Sequence, residues 1–185
     1  MDGTVTVAIH ACAAIRHELG LPPGKPILEE LARFPQVEAR ELFERLDSIE
    51  LALARRARAA SGAVALLEAL RARGSRLGIL TRNSHANSLE TLRVCGLAHF
   101  FNTPCIVGRE IAAPKPDPGG IHHLLDAWRA APKDAVMVGD YHYDLLAGRA
   151  AGTATVYVDT SGEFPFEEHA DVSVRSLEEL VERLS

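Results

Sequence analysis

From Ser61 onward the sequence alternates between helical and strand patterns, and this alternation narrows the possible folds more than any other feature. A helix with Ala63, Leu66, Leu67 and Leu70 on one face stops at Gly74, and Arg76-Leu77-Gly78-Ile79-Leu80 follows as a buried strand. Beyond it the pattern predicts helix 85–95, strand 104–107, helix 118–130, strand 135–138, helix 142–151 and strand 154–158. A βαβαβ series returns each strand in the same direction, which gives a parallel sheet with helices on both faces. A closing helix with Leu177, Leu180, Val181 and Leu184 is expected to pack on that sheet. The expected class is therefore α/β, a Rossmann-like parallel sheet.

Residues 9–60 carry no strand signal. They read as helices, with loop signals at Gly20-Leu21-Pro22-Pro23-Gly24 and Phe34-Pro35. In the longest helix Leu42, Phe43, Leu46, Ile49 and Leu53 form an apolar stripe, opposite Glu41, Glu44, Arg45 and Glu50. The expected organisation is an α/β core of residues 1–8 and 61–185, interrupted by a small all-α cap at 9–60.

Composition excludes several classes of function. The net charge of -5 is mild and its carriers are mixed in sign, and no basic stripe with interleaved aromatics is present, so nucleic acid is not an expected partner. No apolar run reaches membrane-spanning length and no signal-peptide pattern opens the chain, so no membrane partner is expected. Cys12, Cys95 and Cys105 are an odd set without metal-ligand spacing, which suits a reducing compartment, the cytoplasm. The sequence leaves the oligomeric state open.

In parallel α/β folds, ligands bind at the carboxyl ends of the strands. Thr81, Asp140 and, through its loop, Lys115 fall at such positions, and four separated elements line up in order: Asp2-Gly3-Thr4, Leu80-Thr81-Arg82-Asn83, Ala113-Pro114-Lys115-Pro116-Asp117, and the run Val136 to Asp144, in which an apolar strand ends at Gly139 and delivers Asp140 and Asp144. Together, and over essentially the whole chain, these segments resemble the haloacid dehalogenase superfamily of phosphohydrolases, in particular phosphoglycolate-phosphatase-like members with a small helical cap.

The resemblance implies a magnesium-dependent phosphatase that acts on a small phosphorylated metabolite through an aspartyl phosphate. Such a reaction needs a nucleophile, cations beside the phosphoryl oxygens and an acid for the leaving group. Asp2 matches the second carboxylate of the family pattern Asp-x-Asp-Gly-Thr, the general acid and base. Its backbone carbonyl and the Asp140 carboxylate are implied Mg²⁺ ligands, with Asp144 binding directly or through water. Thr81, the backbone of Arg82 and Asn83, and Lys115 are the implied phosphate contacts, and Lys115 also orients the nucleophile.

The attacking Asp of the pattern belongs two positions before Asp2, whereas the sequence begins one residue before it. The expectation is that the nucleophile and a first, central strand precede residue 1. The alternative is a genuine short form, inactive and poorly stable because the neighbouring strands lack ladder partners.

Each candidate also has a plainer reading. Asp140 and Asp144 suit a helix N-terminus, Thr81 suits a helix cap, and Lys115 between prolines suits a stiff turn. The eight histidines show no paired metal spacing, and His142 alone, lying between the two carboxylates, stands out as a substrate contact. Arg16, His17 and Arg40 are candidate cap contacts.

Three rival functions remain. A halogen-displacing relative is disfavoured by Asp2 and the Asp140 pair. A phosphotransfer receiver is disfavoured because Thr81 and Lys115 precede Asp140, the reverse of its motif order. A catalytically inactive binding protein stays open with the nucleophile.

Overall fold

The computed structural model describes residues 1–8 and 12–184. It is a mixed α/β structure with parallel strands. Helices α1 (Cys12–Leu19), α2 (Ile27–Leu31) and α3 (Gln36–Ala54) come first; α4 (Ala63–Ala72), β1 (Ile79–Leu80), α5 (His85–Val94), β2 (Ile106–Val107), α6 (Gly119–Trp128), β3 (Val136–Gly139), α7 (His142–Ala151), β4 (Ala154–Val158), β5 (Val172–Val174) and α8 (Leu177–Leu184) follow. His10 and the residue at which the predicted cap begins lie outside the described residues.

The strands form two parallel ladders, β1 with β2 and β3-β4-β5. In the first, Ile79 faces Ile106 and Leu80 faces Val107; in the second, Val138 faces Val156 and Val156 faces Val172. Among the described residues no ladder joins β1 to β3. What unites the two halves is apolar packing. Ile79, Ile106, Val156, Val158 and Val174 share one buried cluster with Leu66 and Leu67 of α4, Leu92 of α5 and Leu177 of α8. Leu80 and Val107, which point the other way, share a second cluster with Ile121, Leu124 and Leu125 of α6 and Ala147 and Ala151 of α7. This period-two alternation is why both faces carry helices.

Two predicted strands are shorter than expected. The run 76–80 pairs only through Ile79 and Leu80, and 104–107 only through Ile106 and Val107, because Thr103–Cys105 forms a 3-10 turn. Strand length is set by available ladder partners, which the apolar pattern does not reveal. Strand β5 went unpredicted; it is a short Val-Ser-Val alternation. Helix α8 packs on β5 as well as on α4, with Leu180, Val181 and Leu184 partly buried.

Helices α1–α3 surround an apolar cluster of their own, built from Ile15, Leu19, Leu21, Leu31, Leu42 and Leu46. Phe43, Ile49 and Leu53 complete the predicted stripe. Glu50 departs from that pattern, since it turns toward the α/β core and meets Arg109. No described helix is long and apolar enough to cross a membrane.

Candidate active site

The first turn folds so that Asp2 and Asp140 lie on either side of a glycine. Gly3 N–H donates to the Thr6 carbonyl (2.8 Å) and Thr6 N–H to the Met1 carbonyl (3.2 Å), so the pairing passes around the Asp2 backbone. Gly3 sits at φ +80°, and a Cβ there would run into the Asp140 carboxylate, so only glycine lets the turn approach β3 this closely. Thr4 Oγ1 donates to Asp140 Oδ1 at 2.8 Å. Asp2 projects to solvent with both oxygens held, Oδ1 by the Thr6 hydroxyl (3.1 Å) and Oδ2 by the Asn83 amide (2.8 Å).

Lys115 is the buried centre of the edge. Its Nζ donates to the Leu80 carbonyl (2.9 Å) and to Asp144 Oδ1 (2.5 Å), and both side chains are only 7% exposed. Asp144 Oδ2 accepts from Tyr141 N–H at 3.1 Å, so this carboxylate caps α7 and pairs with lysine at once. A Cβ on Gly139 would strike Asp144, which explains the glycine ending β3. Burial pushes the Asp144 carboxyl up, but the Lys115 charge and the hydrogen bonds from Lys115 and Tyr141 oppose it and hold the carboxyl below its ordinary range. Asp140 goes the other way. Burial raises it and Asp144 adds to the rise, against the pull of the Thr4 hydrogen bond and Lys115.

Thr81 is buried and continues the β1–β2 ladder by donating its N–H to the Val107 carbonyl (3.0 Å), while its hydroxyl accepts from Asn83 N–H (3.2 Å). The capping role on α5 belongs to Ser84, which accepts from Asn87 N–H. Arg82 reaches outward. One Nη donates to the Lys115 carbonyl (2.5 Å), the other to both oxygens of Glu29 on α2 (2.9 and 2.6 Å), and the guanidinium lies 5.0 Å from the Tyr143 ring centre.

A residue the sequence reading did not single out holds the helical unit to this edge. Arg109, just past β2, donates to Glu50 (2.8 Å), to Asp47 and to the Arg82 carbonyl (3.1 Å), and its own N–H donates to the Asn83 carbonyl (3.0 Å). Its place after a strand's carboxyl end was the available signal. Burial raises the Glu50 carboxyl, against the opposing pull of Arg109.

The cap candidates fare differently. Arg16 is bound to the Lys25 carbonyl (2.7 Å) and Arg40 to Glu44 (3.1 Å), both within the helical unit. Contact with the core comes from Glu29, Asp47 and Glu50 instead. His142 packs its ring against Tyr143 and Phe166, with centres 4.2 and 5.0 Å away, and its buried Nδ1 has no partner among the described residues. Burial, then the nearby His169, lowers its pKa. A shallow depression between α1 and α3, lined by Glu18, Glu41, Glu44, Arg45, Ser48 and Ile49, contains none of the predicted residues.

Parallel strands with helices on both faces define a Rossmann-like α/β protein, and a sequence model of the haloacid dehalogenase-like hydrolases matches residues 4–158: the chain belongs to this family. It is 35% identical over 92 residues to the pyrophosphatase PpaX of Bacillus velezensis, a match covering 50% of this chain and 42% of that protein. It is 35% identical over 159 residues to the phosphoglycolate phosphatase of Nitrosospira multiformis, covering 84% of this chain and 66% of the relative. The matches thus span less than two thirds of these curated relatives. In fold the chain is similar to a hydrolase from Pseudomonas syringae, with a TM-score of 0.80, 23% identity, and coverage of 99% of this chain and 94% of the other.

Proposed function

We propose that the protein is a phosphatase of this family that hydrolyses a small phosphorylated metabolite through an aspartyl phosphate, with Mg²⁺ as cofactor. One observation carries the reading: a buried Lys115 is fixed between the end of β1 and Asp144, beside Thr81, where a phosphoryl group needs a cation and donors. Lys115 and Thr81, with the Arg82 and Asn83 backbone, are the proposed phosphate contacts. Asp2, clamped at both oxygens, is the proposed general acid and base. Helices α1–α3 are the proposed cap, which would shield the site from water.

The oxygens at the edge suit a hard cation. Among the described residues no group of three or more His, Cys, Asp or Glu is arranged as a metal cluster, but Mg²⁺ keeps several waters and takes only one or two carboxylates. Asp140 Oδ2 makes no hydrogen bond among the described residues, and the ladder of the first turn passes around Asp2, leaving its carbonyl unused there. Both oxygens of Asp144 are engaged, so its proposed part in metal binding is through water. The ion would supply charge facing the phosphoryl oxygens. The cytoplasm is the proposed compartment, in keeping with three unpaired cysteines.

The attacking carboxylate is proposed two positions ahead of Asp2, so the test uses a protein carrying that segment. Phosphate release is assayed across a panel of small phosphate esters that includes phosphoglycolate and pyrophosphate, the last two suggested by the relatives' names. Release that needs Mg²⁺ supports the proposal; flat inactivity across the panel, with the aspartate in place, sinks it.

A further inference from the structure

Asp2 is exposed on a short turn, and an exposed aspartate free of partners moves among several side-chain rotamers. Here both oxygens are held, and the two holds differ in what they fix. The Thr6 hydroxyl, 3.1 Å from Oδ1, belongs to the same turn as Asp2, so it sets the carboxylate only relative to that turn. The Asn83 side-chain amide, 2.8 Å from Oδ2, comes from the loop after β1, 81 positions away in sequence. It sets the carboxylate relative to Thr81, and so relative to a phosphoryl group bound there.

The mount of that amide is stiff. Asn83 N–H donates to the Thr81 hydroxyl (3.2 Å), and the Asn83 carbonyl accepts from Arg109 N–H (3.0 Å). One peptide earlier, the Arg82 carbonyl accepts from the Arg109 guanidinium (3.1 Å), which is itself buried and bound at Glu50. The next residue, Ser84, caps α5. A short side chain on a backbone held this way presents its amide at one place, and an N–H donated to a carboxylate is among the stronger hydrogen bonds.

Proton delivery makes that place matter. A general acid acts only within hydrogen-bond reach of the leaving oxygen, and a displacement of about 1 Å can cost about a hundredfold in rate. We propose that Asn83 is the positioning residue for Asp2: its side-chain amide sets the distance between the general acid and a phosphoryl group held at Thr81 and Lys115. Esters whose leaving oxygen needs a proton therefore depend on Asn83, and esters with a good leaving group do not. The inference rests on the phosphatase reading and on Asp2 as its acid. It gives the Asn83 side chain, acting through Asp2, a role separate from the phosphate contact proposed for the Asn83 backbone.

The test compares kcat/KM for ethyl phosphate and p-nitrophenyl phosphate at saturating Mg²⁺, using a protein extended ahead of Asp2 to supply the proposed aspartate. Because kcat/KM covers the steps up to departure of the leaving group, it reports acid catalysis apart from the later attack of water. Ethoxide leaves poorly without a proton, whereas p-nitrophenolate leaves readily as the anion. Asn83→Ala is expected to lower kcat/KM by about tenfold or more for ethyl phosphate and by less than about threefold for p-nitrophenyl phosphate. Asn83→Ser, which keeps a residue suited to the loop but ends one bond short of the asparagine nitrogen, is expected to show the same selective loss. A folding defect lowers both esters together and does not produce that pattern. Losses in both variants that are equal on the two esters or larger on p-nitrophenyl phosphate, or no loss on either, overturn the positioning role and leave the phosphatase reading standing. No release from either ester by the unsubstituted protein overturns both.

Discussion

The Lys115–Asp144 pair at the strand edge and the Arg82–Glu29 pair at the helical unit use the same chemistry in opposite surroundings. The first is enclosed, with both side chains 7% exposed, and every oxygen of its carboxylate is spoken for; the second opens to water on both partners. A buried pair is costly to form but far costlier to break, since a lone charge is left without solvent. An exposed pair contributes little and exchanges easily. The difference teaches where this molecule is built to stay fixed and where it is built to yield. Arg109 belongs with the fixed set, although it reaches across to α3, because its guanidinium is buried and bound at Asp47, Glu50 and the Arg82 carbonyl.

The sharpest break is Asp144→Asn. It strands the Lys115 ammonium and is expected to lower stability by about 3–5 kcal/mol, read from the urea midpoint. Arg109→Met should follow at about 3 kcal/mol, since Glu50 is left buried while Asp47 can still be solvated. A loss below about 1 kcal/mol in either variant would place that pair with the exposed one.

An alkaline titration sharpens the fixed side further. Tyr157, buried on β4, has its phenol pushed up to about 12 by burial, then by Asp159, Asp140 and Glu168. A raised phenol keeps its proton in the folded state while the unfolded chain loses it near pH 10. Stability from this group is therefore full below about pH 10 and declines as pH rises toward 12. Tyrosinate absorbance from Tyr157 appearing near pH 10 without unfolding would contradict its enclosure. The smallest effect belongs to Glu29→Gln, with stability expected to change by less than about 1 kcal/mol.

The sequence revealed much of this where local pattern decides the outcome. Helix α7 and strand β4 fall on their predicted residues, because Gly139 and Gly152 mark sharp ends and the apolar spacing between them is clean. Thr81, Lys115, Asp140 and Asp144 were legible as a group because each follows a strand or its loop, and parallel strands bring such positions to one edge. What stayed hidden depends on partners distant in sequence. The two short ladders reflect which strands find neighbours. Glu50 sits on the polar side of its helical stripe, and nothing local foretells that Arg109 turns it inward. Asn83 was read for its backbone in the phosphate loop, and the hold of its side-chain amide on Asp2 spans 81 positions.

The proposal that most needs testing is that this edge cleaves phosphate esters with the aid of a divalent cation. The most direct measurement is steady-state phosphate release by a protein extended ahead of Asp2 to supply the proposed aspartate, compared with its Asp140→Asn variant, across a Mg²⁺ titration. The account predicts release that saturates with Mg²⁺, disappears with chelator, and falls on the order of a hundredfold in the variant. Release that is indifferent to Mg²⁺ and to Asp140→Asn would contradict it, as would no release from any ester.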